Sequence, residues 1–331
     1  MSARVSLALP VYNGERYVAQ AIAAVLAQDF DDFEFIISDN ASTDRTQEIC
    51  RSFAAADPRI RYYRNQTNIG AAGNYNRGFE LARGEYFKWC AHDDCISANY
   101  LRECVRALDQ DASAVAAYGR LRYIDDTGKV IPRDRGEPDV SVFERLFPDM
   151  RGLSAARRYR MLIHAGGSDN VMFGLFRSSA LSRSSLHRKY YMSDRALLVE
   201  LVMQGTFLHV PQVTLFNRDH ADRSTRLADK LTRTLWTNPE ASERYCFEHL
   251  SLLGQHFETA WGARKVAPLP LTVGALGLWA LQPMRLGGCA LELIGMLSPS
   301  LRYRLGRLAW WIVHTVRGAG RFRAAAGATH D

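Results

Sequence analysis

Tyr86-Phe87-Lys88-Trp89-Cys90-Ala91-His92-Asp93-Asp94 joins a short, largely apolar run to two adjacent carboxylates. An apolar run of this length reads as a strand buried on both faces of a sheet. Acids directly at its end mark the rim where open α/β sheets bind ligands. Two neighbouring carboxylates there repel each other and lose hydration. A hard divalent cation relieves both costs, because Mg²⁺ and Mn²⁺ prefer oxygen ligands and complete their coordination with substrate phosphates. The competing expectation is a helix N-cap, with Asp94 or Ser97 placed ahead of a helix through Tyr100 and Val105.

On either side of this run, strands alternate with helices. Val5 to Leu9 is an apolar strand closed by Pro10, and Val18, Ile22, Val25 and Leu26 recur at helical spacing. Phe33 to Ser38 reads as a second strand. Thr43 and Asp44 are placed to cap a helix that Asp57-Pro58 ends. Ile60 to Arg64 is a third strand, Tyr75 to Arg83 a helix with Gly84 at its C-terminal end, and Val115 to Tyr118 a further strand. This alternation predicts a mostly parallel sheet with helices on both faces. Asp126-Thr127-Gly128 forms a turn, and Pro132 to Pro148 reads as a loop. Beyond it, Val171 to Arg177, Phe207 to Val210 and Val213 to Phe216 read as strands, and Leu197 to Met203 as a helix.

Composition excludes several classes. A hydrophobic fraction of 47% with 23% charged residues predicts a packed core and not a disordered chain. No charged n-region followed by an apolar run opens the sequence, so no signal peptide is expected. Cys90, Cys95 and Cys104 match no zinc spacing and read as reduced, packed thiols. From Trp261 onward nine Lys/Arg face only Glu292 and Asp331, so this segment carries the whole net charge of +7. Basicity confined to one end argues against a nucleic-acid partner. Val266 to Met284 lacks charge between Lys265 and Arg285, although Pro268, Pro270 and Pro283 interrupt it. Leu301, Leu305, Leu308 and Ile312 then share one helical face, with Arg304, Arg307 and His314 on another. Together these features point to a membrane surface as a partner of the C-terminal region.

There is no G-x-G-x-x-G after the first strand, no G-x-x-x-x-G-K-[ST], and no G-x-S-x-G elbow. What stands at the strand ends instead is Leu9-Pro10-Val11-Tyr12-Asn13, Ser38-Asp39-Asn40-Ala41-Ser42-Thr43-Asp44, Asn68-Ile69-Gly70 and Ala91-His92-Asp93-Asp94. Four such motifs in this order and these strand contexts resemble the family 2 glycosyltransferases. The resemblance covers residues 4 to 125 and, more loosely, 168 to 223. It implies a GT-A fold, a Rossmann-like α/β nucleotide-sugar domain, here followed by a C-terminal helical appendage.

Carried over to these positions, the resemblance implies that Pro10, Val11, Tyr12 and Asp39 recognise the base. A carboxylate at Asp39 is suited to accept the N3–H of uracil or thymine. Asn68 and Gly70 would lie beside the nucleotide, Asp93 at the ribose, and Asp94 on a metal bridging the two phosphates. The first acid of the family's D-x-D motif is Ala91 here. Met192-Ser193-Asp194-Arg195 is similar to the family's acceptor-side acidic motif, with Ser193 at the usual glutamate. Asp194 is thus the candidate general base, a role typically worth about 10²–10⁴ in rate, or else a helix cap. Asn217-Arg218-Asp219-His220-Ala221-Asp222-Arg223-Ser224 is similar to the segment that closes over the diphosphate, with Arg218 neutralising charge and His220 either a metal ligand or a second neutralising group. Gly166-Gly167-Ser168-Asp169-Asn170 is a candidate wall of the acceptor pocket.

These expectations describe an inverting, metal-dependent glycosyltransferase that uses Mn²⁺ or Mg²⁺ and favours a UDP- or dTDP-sugar. Its acceptor would be a saccharide or lipid-linked saccharide in cell-envelope glycan synthesis. Residues 1–224 would form the transferase domain, with nucleotide-binding (about 4–125) and acceptor (about 150–224) parts, and 225–331 a helical, basic region. The expected location is cytoplasmic, at the inner face of the membrane. The alternatives are a sugar nucleotidyltransferase and a non-catalytic nucleotide-sugar-binding protein.

Overall fold

The computed structural model describes residues 3–131, 150–164, 169–221, 223, 230–241 and 247–297. Its frame is a nine-stranded sheet built from β1 (Val5–Val11), β2 (Phe33–Asp39), β3 (Ile60–Arg64), β4 (Tyr86–Trp89), β5 (Cys95–Ile96), β6 (Ala114–Ile124), β7 (Val130–Ile131), β8 (Leu175–Arg177) and β9 (Thr206–Arg218). The spatial order is β3-β2-β1-β4-β8-β6-β9-β5, with β7 paired to β6. β3, β2, β1 and β4 are mutually parallel, as are β6 and β9, whereas each antiparallel pairing spans only two residue pairs. The sheet is therefore mostly parallel, as the strand–helix alternation predicts.

The longer helices among the described residues are α1 (Val18–Leu26), α2 (Thr46–Ala56), α3 (Gly70–Glu80), α4 (Tyr100–Gln110), α5 (Ala155–His164), α6 (Ser193–Gln204), α7 (Lys230–Thr237), α8 (Glu248–Gly262), α9 (Leu269–Ala280) and α10 (Pro283–Leu297). Side chains alternate across a strand, and every residue of β1 is buried. Leu7 and Leu9 join Val18, Ile22, Leu101 and Val105 on one face. Ala8, Phe87 and Trp89 join Tyr159, Leu197, Leu201 and Trp279 on the other. α6 buries Ala196 to Val199 and Leu201 to Met203 because it is enclosed between the sheet and the C-terminal helices.

Several local expectations need correction. Val171 to Arg177 is not one strand; a helical turn at Asp169–Met172 precedes a strand of three residues. The two short strands around Pro211 are a single strand, β9, which shifts register against β6 between Tyr118 and Arg120. α3 begins at Gly70, earlier than Tyr75, and ends at Glu80. Gly84 is no helix cap: a Cβ on it would sit 2.6 Å from the Ser6 backbone nitrogen, so it permits the close approach of the α3–β4 connection to β1. The apolar run from Val266 is broken by its prolines into α9 and α10. No helix among the described residues is long and apolar enough to cross a membrane. Leu301 to His314 lie outside the described residues.

Candidate active site

The chain leaves β1 to one side for β2 and β3, then returns to the other side for β4. Such a reversal opens a crevice at the carboxyl ends of the strands. A cavity of about 560 Å³ occupies it, lined from the β1 end by Pro10, Val11 and Tyr12 and from the β4 end by Asp93 and Asp94. Asn68, Asp194 and His220 line the same cavity. Asp39, Gly70 and Arg218 do not.

Asp94 caps nothing. α4 starts after Asn99 without a side-chain cap, while Asp94 accepts hydrogen bonds from Asn217 Nδ2 and the Arg218 N–H, both at 2.9 Å. Burial first, then the charge of Asp93, push the Asp94 carboxyl up, against the pull of these donors. Burial also raises Asp93, but the charge of His92 and the 2.9 Å bond to His220 Nε2 outweigh it and hold Asp93 down. Asp93 is thus the settled anion, whereas at Asp94 the two donors and the charge of Arg223 do not offset burial and the neighbouring Asp93. His220 packs on the Tyr17 ring at 4.9 Å, and its Nδ1 is buried without a partner among the described residues. No group of three or more His, Cys, Asp or Glu side chains suited to a metal occurs among the described residues. A cation held here would need oxygens from a ligand besides Asp94, which is how Mg²⁺ and Mn²⁺ commonly bind with substrate phosphates.

Arg218, expected to face the diphosphate, lies behind the acids at 1% exposure. Its guanidinium donates to the carbonyls of Asp93, Asp125 and Asp126 and to Gln20 Oε1, at 2.9, 2.7, 3.1 and 2.8 Å, and sits 4.7 Å from the Tyr17 ring centroid. It is therefore a positioning residue that ties the ends of β4, β6 and β9 to α1. Asp39 is fully buried and accepts from Tyr62 Oη, Arg64 Nη1 and the Ser42 N–H at 2.6, 2.7 and 2.8 Å. Gly70, at φ +77, lies behind Asn68, whose Oδ1 receives its N–H.

Asp194 occupies the first turn of α6, where Met192 at φ +72 is the N-cap residue and no side-chain cap forms. The preceding loop is held from the C-terminal side. Tyr190 Oη donates to Gln255, and Gln255 donates at 2.7 Å to both Ser185 Oγ and Glu200 Oε1. Among the described residues, the non-glycine positions with positive φ, Asn13, Ala41, Leu186 and Met192, each line the cavity or adjoin a residue that does. Left-handed backbone at such positions is a known companion of functional sites.

Sequence reasoning missed Tyr62 and Arg64, which the β2–β3 register brings beside Asp39, and Asn74, which accepts from Ser38 Oγ and Asn65 Nδ2. The strand-end position of Arg64 was a usable signal. Trp236 and Gln255, on α7 and α8, carried none. Gly166, Gly167, Ser168, Asp222 and Ser224 lie outside the described residues.

Comparison with known proteins bears on the family and the fold. The family model "Glycosyl transferase family 2" matches residues 6–187. An uncharacterized glycosyltransferase of Rickettsia felis is 32% identical over 155 residues, covering 45% of this chain and 25% of the relative. A GalNAc(5)-diNAcBac-PP-undecaprenol beta-1,3-glucosyltransferase of Campylobacter jejuni is 23% identical over 205 residues, covering 62% and 61%. The chain thus spans less than two thirds of the length of these relatives. Among solved structures, S. aureus TarS 1-349 with UDP-GlcNAc superposes at TM-score 0.58, with 15% identity and 92% of both chains covered. Mannosyltransferase PcManGT from Pyrobaculum calidifontis, with GDP-Man and Mn2+, superposes at 0.50 with 15% identity, covering 90% and 86%. At these identities the structural likeness establishes the fold alone.

The position of Arg218 is open to a direct check. Arg218→Met removes the donors of four acceptors, each costing about 1–3 kcal/mol when left unpaired in the interior. Urea unfolding should show a loss of about 3 kcal/mol or more. A loss below about 1 kcal/mol, the scale of a surface change, would refute the positioning role.

Proposed function

The chain belongs to glycosyl transferase family 2, and on that premise we propose that it is an inverting glycosyltransferase moving a sugar from a nucleoside-diphosphate donor to an acceptor hydroxyl. The observation that carries this reading is that Asp94 and Asp194, separated by a hundred residues of chain, line one cavity with Tyr12 and Asn68. Uracil or thymine is the favoured base, with Asp39 at the base end. Asp39 already bonds Arg64 and Tyr62, so reading the base would call for it to share or exchange one of those partners.

In the proposed reaction the Asp194 carboxylate takes the proton of the acceptor hydroxyl as its oxygen attacks the anomeric carbon. The bond from that carbon to the diphosphate oxygen breaks with its electron pair, and the nucleoside diphosphate leaves with configuration inverted. Asp94 is the residue suited to a divalent cation, Mn²⁺ or Mg²⁺, because its buried carboxylate has hard oxygens and is disfavoured as a bare anion beside Asp93. When bound, such an ion supplies Lewis-acid stabilisation of the departing diphosphate. His220 is a further ligand only if it exchanges its bond to Asp93. Holding donor and acceptor in attack geometry supplies much of the remaining acceleration.

The acceptor is proposed to be a saccharide, in lipid-linked form, on the way to a cell-envelope glycan. The Campylobacter jejuni relative is named for an undecaprenol-linked acceptor. Leu271, Leu278 and Leu281 on and beside α9 are more than half exposed, and no acidic residue occurs between Glu258 and Glu292, where Arg264, Lys265 and Arg285 lie. An apolar stripe with flanking cations suits the headgroup region of an anionic bilayer, which supports a location at the inner membrane face.

Incubation with UDP- and dTDP-sugars and Mn²⁺ tests the central reading. Release of nucleoside diphosphate is expected; formation of pyrophosphate from UTP and a sugar phosphate would instead indicate a nucleotidyltransferase. Asp194→Asn should lower kcat about 10²-fold or more and leave UDP binding intact; retained turnover removes Asp194 from the base role. Asp94→Ala should abolish the Mn²⁺-dependent part of UDP affinity, and unchanged calorimetric titrations would show that it holds no metal. Sedimentation with phosphatidylglycerol vesicles should be lost in a Leu271→Glu/Leu278→Glu variant; full retention would exclude α9 as the contact.

A further inference from the structure

Trp236 reaches the cavity by a route the sequence does not signal. It lies on α7, beyond the residues 6–187 matched by the family model. The next residue, Thr237, packs its carbonyl so closely on Gly70 that a Cβ there would come within 2.4 Å of it. Gly70 donates its N–H to Asn68 Oδ1, which also receives Asn40 Nδ2. The end of α7 is thus seated on the turn that follows β3, at the β1–β2 end of the cavity. Tyr12 leaves β1 at this same end, where the Asn40 N–H is bonded to the Val11 carbonyl. Trp236 lines the cavity with Tyr12, Asn40 and Asn68, and the Trp236 and Tyr12 side chains are each left 42% exposed.

Open aromatic faces beside amide groups suit a flat heterocycle, which offers a π-face to stack and polar edges to bond. We propose that Trp236 is a wall of the nucleobase subsite and stacks on the base of the bound nucleoside diphosphate, with Tyr12 as the second aromatic at that end. This rests on the glycosyltransferase reading, which puts a nucleoside diphosphate in the cavity. Every base has a π-face, so the indole sets donor affinity; discrimination among bases stays with polar groups at that end of the cavity, Asn40 and Asn68 among them. A helix outside the matched transferase segment thereby completes the donor site.

Calorimetric titration of the full chain with UDP and Mn²⁺, and separately with inorganic pyrophosphate and Mn²⁺, tests the assignment. Trp236→Ala should raise the UDP Kd roughly tenfold to a hundredfold, the scale of one lost base–aromatic stack. Pyrophosphate has no base and should bind the variant and the unaltered chain alike. Trp236→Phe keeps a ring and should restore most of the UDP affinity, and donor KM should follow Kd while kcat changes less. Unchanged UDP affinity in Trp236→Ala overturns the inference, as does a loss for pyrophosphate that parallels the loss for UDP. Failure of the unaltered chain to bind any nucleoside diphosphate overturns the glycosyltransferase reading and this inference with it.

Discussion

A guanidinium shut away from water must find an acceptor for nearly every N–H it carries, because an unsatisfied donor there costs as much as several ordinary contacts gain. Arg218 meets that requirement by bonding pieces of chain that the β6–β9 and β5–β9 pairings bring beside it. Its partners are carbonyls at the end of β4 and at the β6 turn, and a side chain of α1, while its own backbone N–H goes to Asp94. Tyr17 roofs the charge and donates its hydroxyl to Asp126, which Arg16 also pairs. The placement of Asp93 and Asp94 at the cavity is fixed in part by satisfying this buried cation, together with the β5–β9 pairing and the bonds from Asn217 and His220.

The opposite rim is built on the same logic with neutral groups. Asn40, Asn65, Asn68 and Asn74 bond one another and the neighbouring backbone, so that the ends of β2 and β3 and the start of α3 form one connected patch. Such a network is rigid only if every member is satisfied. It leaves the loops beside it free to hold uncommon backbone, as at Asn13 and Ala41. The loop before Asp194 is braced by α8, through Gln255 and the Arg188–Glu258 pair. Hydrogen bonds and ion pairs around the site thus join residues on both sides of 224.

The parts of the fold legible in the sequence are those where burial is continuous and local. β1, β2 and β4 are largely apolar runs ended by polar residues, β3 is a partly buried edge strand, and all four sit where the sequence pattern puts them. The readings that failed concern segments whose conformation is set by neighbours. Nothing within Val171 to Arg177 says that a helical turn precedes the strand, and nothing around Pro211 says that β9 crosses it by shifting register on β6. Gly84 looks like a helix cap until β1 is placed beside it.

For the candidate site, the sequence by itself determined the chemical types and their stations. Carboxylates fall at the ends of buried strands because only there does the chain of a parallel sheet emerge toward a ligand, and that follows from local pattern alone. Which of those groups faces the cavity was decided by tertiary structure. Asp94 and Asp194 point into one space, whereas Arg218 and Asp39 are consumed by partners from other strands. Hydrogen-bond satisfaction is a property of groups distant in sequence and adjacent in space, so no reading of one strand end at a time reveals it. The same reason hid Trp236, whose place beside Asn68 exists only because a helix packs against a glycine lacking a side chain.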